Sequence, residues 1–192
     1  MYKENRFEDL KCWIIAQKEI KNIGVVGSRD LPFPYAGKVG DVVDALLEKG
    51  FHIASGGAMG VDQYCLDRVL ASDSSDKCTI FAAWKNYKGF PVKVRPYVRE
   101  AREKGASILW GLASAKEHRS LVRVALLKRN ERLIEACYGL VAFIASGSRG
   151  SMFTISKAVK KHLPLVVFPV GCELPHFSSV KWVALRCGGC WE

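Results

Sequence analysis

Short apolar segments alternate with amphipathic segments along most of this chain, and this alternation constrains the fold more than any other feature. Apolar runs of strand length lie at 21–26, 51–54, 78–83, 107–110, 139–145 and 165–169. Segments with helical spacing lie at 35–49, 61–71, 96–104, 117–137 and 152–162. Strands that are apolar on both faces, each followed by a helix, are typical of a parallel sheet covered on both sides. The pattern predicts an α/β, Rossmann-like three-layer fold with a mostly parallel central sheet.

The length of the chain suits one such domain with a short addition at each end. The chain has 192 residues, of which 49% are hydrophobic and 25% are charged, as in ordinary globular proteins. We expect an N-terminal helix within 1–20, the α/β domain over 21–171 and a Cys-containing tail over 172–192. No apolar run approaches the roughly 20 residues that span a bilayer, and the first ten residues lack a signal-peptide pattern. We therefore expect a cytoplasmic protein without a membrane partner.

Positive charge is concentrated in the middle of the chain. Residues 85–132 carry 13 Lys and Arg against 4 Asp and Glu, which is +9 of the total net charge of +10. Such a concentration is found on solvated surfaces and on surfaces that bind nucleic acid, nucleotides or other phosphates. Charge alone favours neither interpretation.

Three glycine-rich loops follow predicted strands: "GSRD" at 27–30, "SGGAMG" at 55–60 and "SGSRGS" at 146–151. Loops after parallel strands collect at one edge of the sheet, where ligands of open α/β sheets bind. Glycine lets the backbone approach a ligand closely, and a helix N-terminus attracts phosphate. None of the loops has the Walker pattern or the full GxGxxG fingerprint. The predicted phosphate or nucleotide contacts in these loops are Gly27, Ser28, Arg29, Ser55, Gly56, Gly57, Gly147, Ser148 and Arg149.

The helices add further candidates. Asp62 stands in the first turn of a predicted helix, where it is either a helix-start acid or an acceptor for a sugar hydroxyl or a base amino group. On the helix at 117–137, Arg119, Arg123 and Asn130 fall within about 40° of one another beside an apolar stripe. Unpaired buried polar groups are costly, so we expect this stripe either to line a pocket mouth or to pair with the loops. Arg129 and Arg132 point to a different face, toward either phosphate or solvent.

Four motifs occur in one order: "GVVGSRD", "IASGGAMGVD", "KRNERLIEACYGLVAFIASGSRGSMFTISKAV" and "LVVFPVG". Together, over residues 21–171, they resemble the DNA-processing protein A (DprA/Smf) family. This family belongs to a superfamily of Rossmann-like nucleotide-binding proteins that also contains the LOG (lysine decarboxylase-like) enzymes. The resemblance implies binding of single-stranded DNA and loading of a recombinase onto it, without catalysis, in a protein that often dimerises. Carried over by motif, the site would include Gly27, Ser28, Arg29, Gly56, Gly57, Asp62, Arg129, Asn130, Gly147 and Ser148.

Two departures from the family pattern keep other functions open. The usual Arg-Asn-Arg is interrupted by Glu131, which places an acid beside the expected phosphate contacts, so a small nucleotide is an alternative ligand. The LOG-like enzymes hydrolyse nucleoside monophosphates with a glutamate, but Thr154 stands at that position here. A phosphoribohydrolase therefore lacks its expected acid–base group, and we expect a protein without enzymatic activity.

The seven cysteines do not have the spacing of a disulfide framework. In a reducing compartment most of them would be small buried hydrophobes. The tail offers one possible zinc-binding set, against the simpler interpretation of a reduced tail: Cys172, His176, Cys187 and Cys190. Apart from zinc or a bound nucleotide, no cofactor is expected. Among the aromatic residues, Trp84, Tyr87 and Phe90 lie between lysines, where they would either stack on bases or join the core.

Overall fold

The protein contains a seven-stranded sheet in which every described strand pair is parallel. The computed structural model describes residues 22–145 and 147–172 together with the backbone of 181–182. The strands follow the chain as β1 (Asn22–Gly27), β2 (His52–Ser55), β3 (Cys78–Phe81), β4 (Ser107–Leu109), β5 (Gly139–Ala145), β6 (Leu165–Val170) and β7 (Lys181–Trp182). Their spatial order is β4-β3-β2-β1-β5-β6-β7. The prediction of an α/β fold with a parallel central sheet is confirmed.

The strand order reverses direction between β1 and β5. These two strands are in register from Ile23 opposite Gly139 to Gly27 opposite Phe143. From β1 the sheet grows through β2 to β4 on one side, and from β5 it grows through β6 to β7 on the other. Loops that leave two neighbouring strands at such a point diverge, which opens a crevice at the carboxyl end of the sheet.

Within the described residues, five α-helices connect the strands and cover the two faces of the sheet. They are α1 (Ala36–Glu48), α2 (Val61–Ala71), α3 (Arg95–Glu103), α4 (Arg119–Ala136) and α5 (Arg149–Lys160). Buried side chains of α1, α2 and α3 form one hydrophobic cluster with the sheet. Buried side chains of α4 and α5 form a second cluster on the opposite face. The architecture therefore has the three layers that the sequence predicts.

The interior strand β5, between β1 and β6, illustrates why the segments are apolar throughout. Val141 and Phe143 belong to the cluster on the α1–α3 face, whereas Leu140, Ala142 and Ile144 belong to the cluster on the α4–α5 face. Successive side chains of a strand point to opposite faces. A strand that is buried on both faces therefore has no polar position.

Most predicted element boundaries agree with the structure to within three residues. The largest shift is at α5, which begins at Arg149 rather than at 152. Helix formation therefore starts inside the "SGSRGS" loop and brings Arg149 and Gly150 into the first turn. The short strand β7 joins the sheet beyond residue 171. The N-terminal helix predicted within 1–20 lies outside the described residues, as does most of the tail.

Three described cysteines are core residues, as the composition predicts. Cys65, Cys78 and Cys137 are buried and unpaired, and burial raises the pKa of the Cys78 thiol to about 12. Among the helices of the described ranges, none has both the length and the apolar character that crossing a bilayer requires.

We expect Phe143→Ala to lower the free energy of unfolding by about 3–5 kcal/mol, the usual cost of truncating a buried phenylalanine. Phe143 is fully buried and stacks on Phe168 of β6, with ring centroids 4.5 Å apart. Phe33→Ala is the matched control because Phe33 is 79% exposed, and we expect a change within about 0.5 kcal/mol. Urea denaturation measures both variants. Equal stability of the two variants would contradict the described core.

Candidate functional site

A cleft opens at the carboxyl edge of the sheet, at the point where β1 and β5 diverge. Its volume is about 650 Å³, and its walls are the loops after β1 and β5 together with one face of α4 and the start of α5. Five arginines line it against two acids, so its charged lining has a net charge of +3: Arg29, Arg119, Arg123, Arg129 and Arg149 against Asp30 and Asp62. A cleft of this charge concentrates anions.

The loop after β1 is fixed by Ser28. The Ser28 N–H donates to the carbonyl of Phe143 over 2.9 Å, and the Ser28 hydroxyl accepts from the N–H of Ala145 over 2.8 Å. Ser28 is only 2% exposed, so its hydroxyl serves to join β1 to the end of β5. The next residue, Arg29, is exposed at the cleft wall. Ser28 thus holds the loop, and Arg29 presents its side chain to the cleft.

The loop after β5 leads into α5 with open space around its glycines. Gly147 has a φ of +79°, a conformation that favours glycine, and a Cβ at Gly147 or Gly150 would meet no atom within 4 Å. The Ser148 hydroxyl donates to the Ser151 hydroxyl over 2.7 Å, and Arg149 is exposed beside it. The first turn of a helix carries free N–H groups and a partial positive charge. This loop can therefore approach an anion closely.

A buried ion pair forms the floor of the cleft. Nη1 of Arg129 lies 3.4 Å from Oδ2 of Asp62, and the two side chains are 8% and 6% exposed. The same Oδ2 atom accepts the N–H of Ala58 over 3.1 Å. Burial lowers the pKa of the Arg129 guanidinium, and the charge of Arg29 lowers it further, whereas Asp62 opposes both effects. Nε of Arg129 is buried and has no hydrogen-bond partner among the described residues.

The glycines of the loop after β2 serve packing. A Cβ at Gly56 would overlap Nη1 of Arg129, and a Cβ at Gly57 would lie 2.6 Å from the ring of Phe90. Ser55, Gly56 and Gly57 are buried and are absent from the cleft lining. Their predicted contact with a ligand stays a prediction. Of this loop, only Ala58 reaches the cleft, and Asp62 follows it in the first turn of α2.

The polar stripe predicted on α4 faces the cleft. Arg119, Arg123 and Asn130 all line it, together with apolar residues of the same helix, Val122, Leu126 and Leu127. Arg129, expected on a different face, is instead the buried residue of the floor. Nη2 of Arg132 donates to the carbonyl of Leu109 at the end of β4 over 3.1 Å, so Arg132 anchors the helix to the sheet.

Asn130 is oriented by a hydrogen-bonded chain from α5. The Thr154 hydroxyl donates to the carbonyl of Gly150 over 2.9 Å and accepts from Nδ2 of Asn130 over 2.8 Å. Thr154, at the position where the LOG-like enzymes have a glutamate, is therefore used to position an amide.

Glu131, expected beside the phosphate contacts, forms an ion pair with Lys157 over 2.6 Å instead. It is not among the cleft-lining residues.

The other predicted ligand groups lie elsewhere. Phe90 is 1% exposed and belongs to the core, so it offers no face to a base. Cys172 donates its thiol proton to the carbonyl of Ile144 over 3.2 Å. The remaining members of the zinc set, His176, Cys187 and Cys190, lie outside the described residues.

Phe153 and Asp30 are among the cleft-lining residues that sequence reasoning missed. Phe153 lines the cleft from the second turn of α5. Asp30 lies at the wall directly after Arg29. The motif "GSRD" already contains Asp30, but nothing in the sequence indicates whether this acid faces the ligand or solvent.

The fold and the cleft define the chain as a Rossmann-like protein with an arginine-lined cleft at its switch point. The family model of DNA recombination-mediator protein A matches residues 14–183. Since this match covers most of the sequence, the chain belongs to that family. No curated protein matches the sequence.

Two solved structures share the fold. DNA processing protein A from Helicobacter pylori, reported for its single-stranded DNA binding mode, has a TM-score of 0.61 and 21% identity, covering 78% of this chain. DNA processing protein A (DprA) from Streptococcus pneumoniae has a TM-score of 0.63 and 21% identity, covering 79% of this chain. This chain spans 66% and 51% of the length of those two proteins.

We expect Asp62→Asn to destabilise the protein by about 3–5 kcal/mol, because it leaves the buried Arg129 without its counter-charge. The double variant Asp62→Asn/Arg129→Met removes the charge as well, and we expect it to recover much of the loss. Urea denaturation of Asp62→Asn, of Arg129→Met and of the double variant gives the coupling energy of the pair. Purely additive effects of the two substitutions would show that the pair does not support the floor.

Proposed function

We propose that the chain binds single-stranded DNA in the cleft at the β1–β5 switch point. The observation that carries this proposal is the state of Arg129. Its guanidinium is buried in the floor, pairs with one carboxylate oxygen of Asp62 and leaves Nε without a partner among the described residues. An anion in the cleft above this guanidinium stabilises its charge, because Coulomb attraction is stronger where water is excluded. A backbone phosphate supplies such an anion.

The exposed arginines extend this site along a strand. Arg29 and Arg149 stand on the two loops that flank the switch point, and Arg119 and Arg123 lie along α4 above it. Guanidinium groups bind phosphate oxygens through two parallel hydrogen bonds. Several such contacts, spread over one cleft, fit a polymer with a charge on every repeat better than they fit a single small anion.

Family membership and the single-stranded DNA binding reported for the Helicobacter pylori relative support the same ligand. The recombinase loading and the self-association that the family resemblance implies remain predictions for this chain. So does its location in the cytoplasm.

A small nucleotide is the second candidate ligand, favoured by the size of the cleft. Its volume of about 650 Å³ lies in the range typical of sites for small molecules. Asn130 and Asp62 would then meet donor groups of a base or a sugar, while Arg29 and Arg149 hold the phosphate. Hydrolysis of this nucleotide is not proposed, because Thr154 forms hydrogen bonds where the related enzymes place their glutamate.

We expect the double variant Arg29→Gln/Arg149→Gln to weaken binding of a labelled (dT)12 oligonucleotide and to lower the steepness of its salt dependence. Each lost phosphate contact reduces the slope of log K against log salt by about 0.7 for a single strand, so two contacts reduce it by about 1.4. Fluorescence anisotropy at four salt concentrations measures both quantities.

Lys49→Gln/Lys160→Gln is the matched control, since it removes the same charge from two exposed lysines at the opposite edge of the sheet. Lys49 precedes β2 and Lys160 precedes β6. We expect its slope to remain within about 0.3 of the wild-type slope, because salt largely screens exposed charges that lie more than a Debye length from the bound strand. Equal losses in the two double variants would contradict binding at the cleft, and absence of wild-type binding at low salt would exclude the proposed function.

For the second candidate, we expect a nucleoside monophosphate at one hundred times its Kd to stabilise the protein by about 2.7 kcal/mol. Thermal shift measurements with the four deoxynucleoside monophosphates test this, and mass spectrometry of the purified protein identifies a ligand retained from the cell. The Arg29→Gln/Arg149→Gln variant should lose the shift. A protein that shows no shift with any nucleotide yet binds (dT)12 uses the cleft for the polymer alone.

A further inference from the structure

We propose that the protein carries a second nucleobase-binding surface, centred on Trp110, for bases of a strand whose other end lies in the cleft. The inference rests on the proposed function and extends it along the carboxyl edge of the sheet. We call this surface the β3–β4 rim and define it as residues 82–94, after β3, together with residues 109–113, at and beyond the end of β4.

Trp110 is exposed and yet held in place. It is 38% exposed, and its ring makes edge contacts with Tyr87 and Phe90 at centroid distances of 5.0 and 6.1 Å. Phe90 is a core residue at 1% exposure, so these contacts brace the indole against the body of the protein. A large aromatic ring fixed at the surface gives a base a stacking partner at a low cost in conformational entropy.

The backbone that carries Trp110 is equally fixed. Four hydrogen bonds of 2.9–3.0 Å join residues 82–85 to residues 109–113 and continue the parallel pairing of β3 and β4 beyond the strands. A Cβ at Gly111 would overlap the backbone of Ala83, so the two segments touch there. The β3–β4 rim is therefore a built platform, and a ligand does not have to order it.

The charge around Trp110 selects the partner. Lys85, Lys88 and Lys93 are exposed on the β3–β4 rim, which contains no acidic residue in either of its two segments. The guanidinium carbon of Arg99, on α3, lies 5.5 Å from the centre of the Tyr87 ring. Exposed aromatic faces among cations fit a ligand that alternates flat bases with phosphates, which is single-stranded nucleic acid. An ordinary apolar protein partner would leave these cations desolvated and unpaired.

The β3–β4 rim is continuous with the cleft through α4. Arg129 forms the cleft floor, and Arg132, one helical turn later, donates to the carbonyl of Leu109 immediately before Trp110. Three interstrand spacings of about 4.8 Å separate β1 from β4, or about 14 Å. A stacked strand advances about 3.4 Å per nucleotide, so about four nucleotides bridge the two sites.

The test compares oligonucleotides that reach one site or both. We expect Trp110→Ala to weaken binding of (dT)12 by about 5- to 150-fold, the loss of one stacked base, and to leave binding of (dT)3 unchanged. Trp110→Phe retains an aromatic face and should restore most of the affinity. The control is Leu112→Ala, since Leu112 is 92% exposed on the same segment but has no ring. Calorimetry with the full chain measures all four proteins.

A second measurement is independent of any substitution. A set of (dT)12 oligonucleotides carries a single 5-bromodeoxyuridine, at a different position in each, and is crosslinked to the protein with ultraviolet light. One end of the strand should crosslink at the cleft. Crosslinks to the segment that contains Trp110 should form only when the modified base lies about four or more nucleotides from that end. Wild-type protein that binds (dT)12 while Trp110→Ala binds it equally well, without crosslinks at Trp110, overturns the inference and leaves the proposed function intact. Wild-type protein that does not bind (dT)12 overturns both.

Discussion

The ion pair between Arg129 and Asp62 ties together the two faces of the sheet. Arg129 belongs to α4 on one face, and Asp62 opens α2 on the other. Their side chains meet over the end of β2, where Gly56 leaves room for the guanidinium that any Cβ would displace. Desolvating two charges is costly, and only their mutual attraction and further hydrogen bonds offset that cost. Because the N–H of Ala58 also binds Asp62, the loop after β2 belongs to the same arrangement.

The remaining features of the cleft follow from this constraint. Once Arg129 is inserted over β2, the preceding turns of α4 lie above the β1–β5 switch point, so Arg119 and Arg123 face the cleft. The following turn places Arg132 on the carbonyls at the ends of β3 and β4. Asn130 turns toward α5, where Thr154 holds it. One helix thus supplies the floor, a wall and the anchor of the site.

The sequence was sufficient to predict the sheet, the layers and the shared edge of the three loops. Those features depend on period and topology, which are local or follow general rules. The helical period also predicted that Arg119, Arg123 and Asn130 share one side of α4. It could not predict that Arg129 would be buried, because an angle around a helix axis does not specify what packs against each side. Likewise, the ion pair between Glu131 and Lys157 depends on how α5 packs against α4, which the sequence alone does not specify.

Glycine is the clearest case in which residue type alone does not determine the role. Positions 56 and 57 require glycine because Arg129 and Phe90 occupy the space where a Cβ would lie. Gly147 and Gly150, by contrast, border open space at the start of α5. The first pair allows packing, and the second allows a ligand to approach. Of the three loops at the edge, most of the one after β2 is therefore packed against other parts of the protein, whereas those after β1 and β5 border the cleft. Most of the positive charge there sits on long, exposed arginine side chains, which adapt to successive phosphates more readily than fixed backbone amides do. For the strand proposed above, contacts of this kind would select a ligand by charge and spacing over base sequence.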